Sequence, residues 1–189
     1  MSRIILMITL IFVGELIFSL VFNIPLFFRP TVLEVFDISN TQLGDMFAVY
    51  GIAAMLSYFP GGVLADRFSP RILIVTSLLL TSIGGLYLAT FPGIVGMRFL
   101  YGYWGVTTIF FLWGALIKAT RDWGGNNSQG LAFGLLDGGR GLVAASCATI
   151  GVIILSAYMP DDARQATPLM RESGLRMVVW YYTLLVFLA

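Results

Sequence analysis

Six long apolar stretches, separated by short polar segments, dominate the chain. Each is close to the ~20 residues that a helix needs to cross the hydrocarbon core of a bilayer. Within each stretch the hydrophobic residues run on continuously, whereas the strands of a membrane barrel alternate apolar and polar positions. The pattern therefore predicts an all-α membrane protein whose six transmembrane helices form one bundle. The predicted helices are residues 4–28, 41–65, 71–91, 93–120, 130–158 and 173–189.

The composition supports a membrane protein and excludes several other classes. Of the 189 residues, 58% are hydrophobic and 11% are charged, and the mean hydropathy is +0.90. A soluble domain carries about 25% charged residues. The chain has no histidine and a single cysteine, Cys147, which excludes imidazole metal sites, histidine-dependent nucleophiles and an internal disulfide. The net charge is +1 without a basic run, so we expect no nucleic-acid partner, and no metal or cofactor.

The positions of arginine and lysine predict the orientation, because cytoplasmic segments carry an excess of these residues. With the N-terminus in the cytoplasm, the inner segments hold more basic residues than the outer loops do. The inner ones are Arg3, Arg67, Arg71, Lys118 and Arg121, and the outer ones are Arg29, Arg164 and Arg171. We therefore expect both termini to be cytoplasmic.

The connection between the second and third predicted helices, residues 61–71, is the most informative stretch. It reads Gly-Gly-Val-Leu-Ala-Asp-Arg-Phe-Ser-Pro-Arg, and a loop of about six residues forces a tight hairpin. Asp66 lies at the C-terminal end of the second helix, where the helix dipole disfavours an anion. We expect Asp66 to have an outside partner, either a basic side chain or the N-terminus of another helix. Such a hairpin can hold two packed bodies together at the inner face.

This hairpin resembles the signature of the major facilitator superfamily, whose loop between helices two and three reads roughly Gly-x-Leu-Ala-Asp-Arg-x-Gly-Arg-Lys/Arg. The matching residues are Gly62, Leu64, Ala65, Asp66, Arg67 and Arg71. Ser69 replaces the usual glycine, and Pro70 stands where a basic residue is common. Arg98, followed by Gly102 and Gly105, is similar to the helix-four pattern of the same family.

The resemblance implies a fold and a function. In this superfamily six helices form one of two bundles that face each other across a central cavity. The chain resembles the N-terminal bundle, with the C-terminal half-bundle missing. It would be an integral protein of the bacterial inner membrane and part of a secondary active transporter that moves a small solute by alternating access. Gly62, Asp66, Arg67 and Arg71 would then gate the inner face.

The sequence also admits two classes of membrane protein other than a transporter. A membrane channel or a structural membrane subunit is the alternative function, and a channel would give flux that does not saturate. An intramembrane protease is disfavoured because the chain lacks histidine, a Gly-x-Ser-x-Gly run and a paired-aspartate motif. We therefore expect no enzymatic activity.

Charged residues inside the predicted spans are candidates for a substrate site, because a charge near the bilayer centre costs roughly 2.5–3.5 kcal/mol. At 1.5 Å per residue, Glu15 and Arg140 lie about 17 Å and about 15 Å from the inner ends of their helices, so both reach mid-depth. Arg140 could anchor an anionic substrate, with Glu15 as a proton-carrying or salt-bridge switching group. Alternatively, Asp137 and Arg140 simply neutralise each other. Arg98 is a fourth candidate, either in the site or in a salt bridge at a helix end.

The stretch from Arg121 to Gly134 resembles the branch of the superfamily that exchanges organophosphates and related organic anions. In that branch a polar residue about ten positions into helix five faces the substrate, and Arg140 holds that position here. The resemblance implies an anionic solute as the partner.

Overall fold

The computed structural model describes residues 2–160, 162 and 165–189, and in that part of the chain all regular structure is helical. We number the helices α1 to α7 in chain order. They are α1 Arg3–Phe27, α2 Arg29–Val35, α3 Asn40–Arg67, α4 Pro70–Leu88, α5 Ile94–Gly124, α6 Gln129–Ser156 and α7 Pro168–Leu188. Two of them contain a π-helical segment, Ser19–Asn23 in α1 and Thr107–Trp113 in α5.

Within the described residues, five helices are long and apolar enough to cross a membrane, namely α1, α3, α4, α5 and α6. Helix α7 is 21 residues long, but Arg171, Glu172 and Arg176 lie in its first half. Its second half packs into the bundle through buried residues such as Val179 and Tyr182. The prediction of an all-α membrane protein is confirmed, and the sixth long helix is apolar only after its charged beginning.

The α3–α4 hairpin is tighter than expected. Ser39 caps the start of α3 in a reciprocal capping box with Gln42, so the helix begins at Asn40, one residue before the predicted start. The helix continues through Asp66 to Arg67, so the predicted six-residue loop shrinks to residues 68–69. Pro70 then starts α4 at the first helical position, where its missing N–H costs nothing.

Other boundaries also differ from the sequence prediction. Helix α5 runs to Gly124, four residues beyond the predicted end at residue 120, and therefore includes Arg121. The chain turns at Gly125, whose φ is 58°. The short helix α2 was not predicted. Helix α7 begins at Pro168 after the cap residue Thr167, five residues earlier than expected. Arg164, placed in an outer loop by the sequence, lies outside the described residues.

Close backbone contacts hold α3 against α5. A Cβ atom added to Gly61 would lie 2.9 Å from the Phe110 carbonyl oxygen, and one added to Gly105 would lie 2.6 Å from the Tyr50 carbonyl oxygen. Small residues at such points let membrane helices approach closely. The neighbouring Gly62 faces open space instead, with no atom within 4 Å of an added Cβ.

The π-helical segment of α5 is stabilised by hydroxyl groups, because a π turn leaves backbone carbonyls without their usual helical partners. Ser77 of α4 donates a hydrogen bond to the Thr107 carbonyl at 2.6 Å, and Thr108 donates to the Trp104 carbonyl at 2.7 Å. Trp104 itself is fully buried. The segment is thus a fixed part of the bundle core.

Helices α3 and α6 are the least covered of the long helices. Of the apolar stretch by which each of these helices would cross the membrane, only 22% is buried, compared with 56% for α1 and for α5. Large apolar side chains such as Phe59 on α3 and Leu142 on α6 are exposed. The bundle therefore leaves one side of α3 and of α6 without a protein neighbour in the described part of the chain.

Candidate functional site

The two mid-span charges predicted from the sequence meet in the structure. Glu15 Oε2 of α1 lies 3.4 Å from Arg140 Nε of α6, and the two side chains are 11% and 21% exposed. Counted from Arg3 and Gln129, they lie about 18 Å and about 16 Å into their helices at 1.5 Å per residue. The pair therefore lies at mid-depth, where placing charged side chains costs the most free energy. Charges at this depth are candidates for a functional site.

Both helices start at the same end of the bundle, which we call the Arg3 end. There the Arg3 guanidinium donates to the Trp123 carbonyl at 2.6 Å, and the Trp123 indole N–H donates to the Arg3 carbonyl at 2.6 Å. This contact brings the beginning of α1 to the end of α5. Lys118 Nζ donates to the Ala65 carbonyl at 2.8 Å, which places the end of α3 there as well.

The Glu15 carboxylate has a second partner on its own helix. Asn23 Nδ2 donates to Glu15 Oε1 at 3.1 Å, and Asn23 lies in the π-helical segment of α1. Glu15 therefore presents one oxygen to the Asn23 amide and the other to Arg140.

Arg140 keeps unused hydrogen-bonding capacity. Its Nε is buried and makes no hydrogen bond to any described residue, although it is within ionic distance of Glu15. Its terminal nitrogen NH1 lies 3.5 Å from Asp137 Oδ1, and the guanidinium carbon lies 5.6 Å from the centre of the Phe18 ring. Arg140 therefore has one guanidinium N–H without a well-aligned acceptor among the described residues.

A cavity of about 340 Å³ lies next to this ion pair, and we call it the central cavity. Its walls combine the charged pair and one amide with aromatic and aliphatic side chains. It is lined by Glu15, Phe18, Phe22, Asn23, Tyr58, Ile109, Trp113 and Arg140. A few polar groups in a mostly apolar wall are typical of a small-molecule site.

A second cavity of about 480 Å³, the end cavity, lies toward the Arg3 end. It shares Tyr58, Ile109 and Trp113 with the central cavity. Its other side chains include Asp66, Lys118, Arg121 and Asp122. The shared residues place the two cavities next to each other, the end cavity toward the Arg3 end and the central cavity beside the Glu15–Arg140 pair.

Of the predicted gating residues, Gly62 and Asp66 line the end cavity. Asp66, Arg67 and Arg71 are exposed. The partner expected for Asp66 is not found within the described residues, where its carboxylate forms no ion pair or hydrogen bond. Lys118 of α5, which lines the same cavity, donates instead to the carbonyl of Ala65.

Arg98 and Asp137 are placed differently from the ion pair. Arg98 NH2 lies 3.4 Å from Asp45 Oδ2 toward the other end of the bundle, with both side chains about half exposed. This matches the salt bridge at a helix end that we considered, and Arg98 lines neither cavity. Asp137 touches Arg140 but is 71% exposed, so it lies at the open edge of the site.

Several residues that line the central cavity are not among the sequence-based candidates. Asn23 has a usable signal, because it is a lone amide in the first apolar stretch, eight residues after Glu15 and two before Pro25. Trp113 has no such signal. Tyr58, Phe18 and Phe22 gave no signal, because aromatic residues are common throughout the spans.

Comparisons with known proteins agree with this architecture. Residues 11–189 match the Major Facilitator Superfamily profile. The chain is 37% identical over 125 residues to Inner membrane protein YqcE of Escherichia coli strain K12, covering 66% of this chain and 29% of that protein. It is 28% identical over 153 residues to Inner membrane protein YihN of the same organism, covering 81% and 34%. An Uncharacterized protein MG294 homolog of Mycoplasma pneumoniae is 25% identical over 123 residues, covering 60% and 26%.

The chain thus spans about a third or less of the length of these relatives. No solved structure matches it. The hairpin motif, the helical bundle and the profile match over residues 11–189 lead to one conclusion: the chain belongs to the major facilitator superfamily.

Proposed function

We propose that the chain forms the N-terminal bundle of a secondary transporter that moves a small organic anion across a bacterial inner membrane. The observation that carries this proposal is the Glu15–Arg140 pair beside the central cavity, in which Arg140 Nε makes no hydrogen bond to any residue that the structure describes. Both curated Escherichia coli relatives are named inner membrane proteins, which supports the same membrane for this chain.

Arg140 would anchor the anion. The planar guanidinium fork can grip a carboxylate or phosphate with two hydrogen bonds. The aromatic walls next to it, Phe18 and Trp113 among them, suit the carbon skeleton of an organic ion better than a fully hydrated inorganic one. The substrate would therefore carry its charge at one end and an apolar or ring portion at the other.

Alternating access would come from a second bundle, which we propose covers the open sides of α3 and α6. The segment matched in YqcE makes up 29% of that protein, which leaves length for a second bundle in the relative. Rocking of two bundles about a site at mid-depth is the general mechanism of such carriers. The Glu15–Arg140 pair lies at a suitable depth for that site.

The α3–α4 hairpin would close the cytoplasmic side. Asp66 is exposed at the mouth of the end cavity, and its position at a helix C-terminus makes a partner on another body favourable. Gly62 faces open space, which would admit a close helix from the second bundle. Arg67 and Arg71 would add charged contacts at the same surface.

The test is uptake into right-side-out vesicles from cells that express the gene encoding this chain. We expect saturable uptake of at least one organic carboxylate or phosphate from a panel, and loss of that uptake in Arg140→Ala. Arg176→Ala is the matched control, since Arg176 pairs with Glu172 on the exposed part of α7. Flux that rises linearly with concentration would indicate a channel, and unchanged uptake in Arg140→Ala would remove the anion site.

A further inference from the structure

We infer that Asp137 sets the charge that the site accepts, so that the proposed carrier binds anions with one negative charge and discriminates against dianions. The inference rests on the proposed anion site at Arg140 and narrows its substrate class. It follows from the number of charges of each sign around the central cavity and from the position of Asp137 at its open edge.

The described residues that line the central cavity offer an anion a single cation. The charged ones among them are Arg140 and Glu15, whose side chains contact each other at 3.4 Å. Asp137 adds a second carboxylate, 3.5 Å from Arg140 NH1. One guanidinium is therefore already shared by two carboxylates, and these three charges sum to −1.

The neighbouring end cavity does not change this balance. Its charged lining residues comprise two acidic and two basic side chains, namely Asp66, Asp122, Lys118 and Arg121. Lys118 Nζ already donates to the Ala65 carbonyl. Because the charges of the end cavity sum to zero, a second negative charge on a ligand gains no net attraction from that direction.

Asp137 lies on the cavity side of α6. It follows Gln129 by eight residues, which places it about 12 Å into the helix at 1.5 Å per residue, and its side chain is 71% exposed. A charge that faces the hydrocarbon of the bilayer is strongly disfavoured. The contact with Arg140 instead directs Asp137 toward the mouth of the central cavity.

Two glycines leave the surroundings of this carboxylate open. Gly134 and Gly141 precede and follow Asp137 by three and four residues, and residues at this spacing share one face of a helix. A Cβ atom added to either glycine would meet no atom within 4 Å. The face of α6 around Asp137 therefore has room for the part of a ligand that extends beyond Arg140.

A monoanion can exchange with Asp137 on the guanidinium. The Asp137 contact is weak, because it is 3.5 Å long and joins a largely exposed side chain to Arg140. When the anionic group takes the NH1 donor, Asp137 turns to water while Glu15 keeps its contact with Nε. Arg140 again has two negative partners, so the charge balance at the guanidinium is the same as in the empty site.

A second negative charge on the ligand has no comparable place. It would extend from Arg140 toward the open edge, where it meets the displaced Asp137 carboxylate. Repulsion between two like charges about 7 Å apart lowers affinity roughly 3-fold in bulk water and roughly 50-fold at the effective dielectric constant of a protein surface. Because Asp137 is largely exposed, we expect a value between these limits, about tenfold. Phosphate monoesters, which carry a charge of about −1.5 to −2 at pH 7, should therefore bind more weakly than monocarboxylates or monosulfonates.

The experiment compares two ligands of similar shape and different charge. The full chain, in nanodiscs of phosphatidylcholine without net charge, is titrated by calorimetry with benzene-1,3-disulfonate, a permanent dianion. The second ligand is 3-(methylsulfonyl)benzenesulfonate, a permanent monoanion of nearly the same size. We expect the wild type to bind the monoanion about tenfold more tightly than the dianion. In Asp137→Asn this preference should fall to about threefold or less, because the amide has the same shape but no charge.

Two matched variants separate a local charge from a general change in net charge. Glu172→Gln removes an exposed carboxylate that pairs with Arg176 on α7, and it should keep the preference of the wild type. Asp137→Glu retains the negative charge, and it should also keep the preference.

A further measurement needs no variant. Raising the NaCl concentration from about 0.05 M to about 0.5 M should narrow the preference of the wild type, because salt screens exposed charges. A preference that does not respond to salt would indicate exclusion by shape and would contradict the inference.

The remaining outcomes distinguish this inference from the anion site itself. Equal affinity of the wild type for the two sulfonates, or an unchanged preference in Asp137→Asn, would overturn the role of Asp137 and leave the anion site intact. Binding of neither sulfonate to the wild type would overturn the anion site at Arg140 and the role of Asp137 together.

Discussion

Glu15 and Arg140, on α1 and α6, form an ionic contact of 3.4 Å at mid-depth in the bundle. The contact joins two helices that start at the same end, and it borders the central cavity. The residues on either side have separate roles in the packing: Asn23 holds the second oxygen of Glu15, and Asp137 borders Arg140 at the open edge. Five predictions rest on this site and on the surfaces around it.

Replacing Arg140 by lysine tests the geometry of anion binding. Lysine keeps the positive charge and the pairing with Glu15 but loses the two-pronged fork. One charge-assisted hydrogen bond contributes about 1.5–3 kcal/mol, so we expect affinity for the transported anion to fall at least about tenfold in Arg140→Lys. The concentration dependence of uptake measures this, and equal affinity in the two proteins would contradict a bidentate anchor.

Removing the charge of Arg140 should also destabilise the bundle. Arg140→Ala leaves the Glu15 carboxylate without its cation, and we expect an unfolding free energy lower by about 1–3 kcal/mol. The double variant Glu15→Ala/Arg140→Ala should recover part of that loss. Thermal unfolding in detergent measures both, with the exposed Glu172–Arg176 pair as a control whose removal costs at most about 1 kcal/mol. No recovery in the double variant would show that the pair does not act as a unit.

Asp66→Ala tests the gating surface. Asp66 makes no ion pair within the described residues and lies in the last turn of α3, where an anion opposes the helix dipole. We therefore expect Asp66→Ala to raise the unfolding free energy slightly, by about 0.3–1 kcal/mol, while uptake falls about fivefold or more. Asp45→Ala, near the other end of the same helix, is the control for loss of a carboxylate. Wild-type uptake in Asp66→Ala would exclude a gating role.

The neighbouring glycines of α3 should behave differently. In Gly61→Ala the new methyl group would meet the Phe110 backbone at 2.9–3.0 Å, so α3 and α5 must separate and thermal stability should fall. In Gly62→Ala the methyl group meets no atom within 4 Å, and the gain in helix propensity should leave stability equal or raise it by about 0.5–1 kcal/mol. Fluorescence-detected thermal unfolding compares the two, and similar losses in both variants would contradict the packing of Gly61 against Phe110.

The orientation can be tested by cysteine labelling. In a Cys147→Ser background, a cysteine at Ser69 in the α3–α4 hairpin should react with a membrane-impermeant maleimide in inside-out vesicles only. A cysteine at Ser39, at the opposite end of α3, should react in right-side-out vesicles only. The reverse pattern would place the N-terminus outside and would remove the cytoplasmic gate.

Much of the site was predictable because its residues carry local signals. Glu15 and Arg140 are conspicuous in apolar stretches, and their distances from the helix starts fixed their depth. Asp66 was identified from its hairpin. By contrast, the sequence predicts too early an end for α3, at residue 65, because a charged Asp-Arg pair is typical of a loop, whereas the structure keeps Asp66 and Arg67 in the last helical turn.

The sequence by itself determined the membrane class, the approximate spans, the family and the depth of each buried charge, because these depend on residue type and on distance along one helix. Only the tertiary structure decided which charges meet: Arg140 turns toward Glu15 as well as Asp137, while Arg98 pairs with Asp45 at a distance from the site. It also decided that Asn23, Tyr58 and Trp113 line the central cavity. These outcomes depend on the rotation of each helix about its axis. Contacts between helices, such as the close approach of Gly61 to Phe110, set that rotation. It is therefore a property of several helices together.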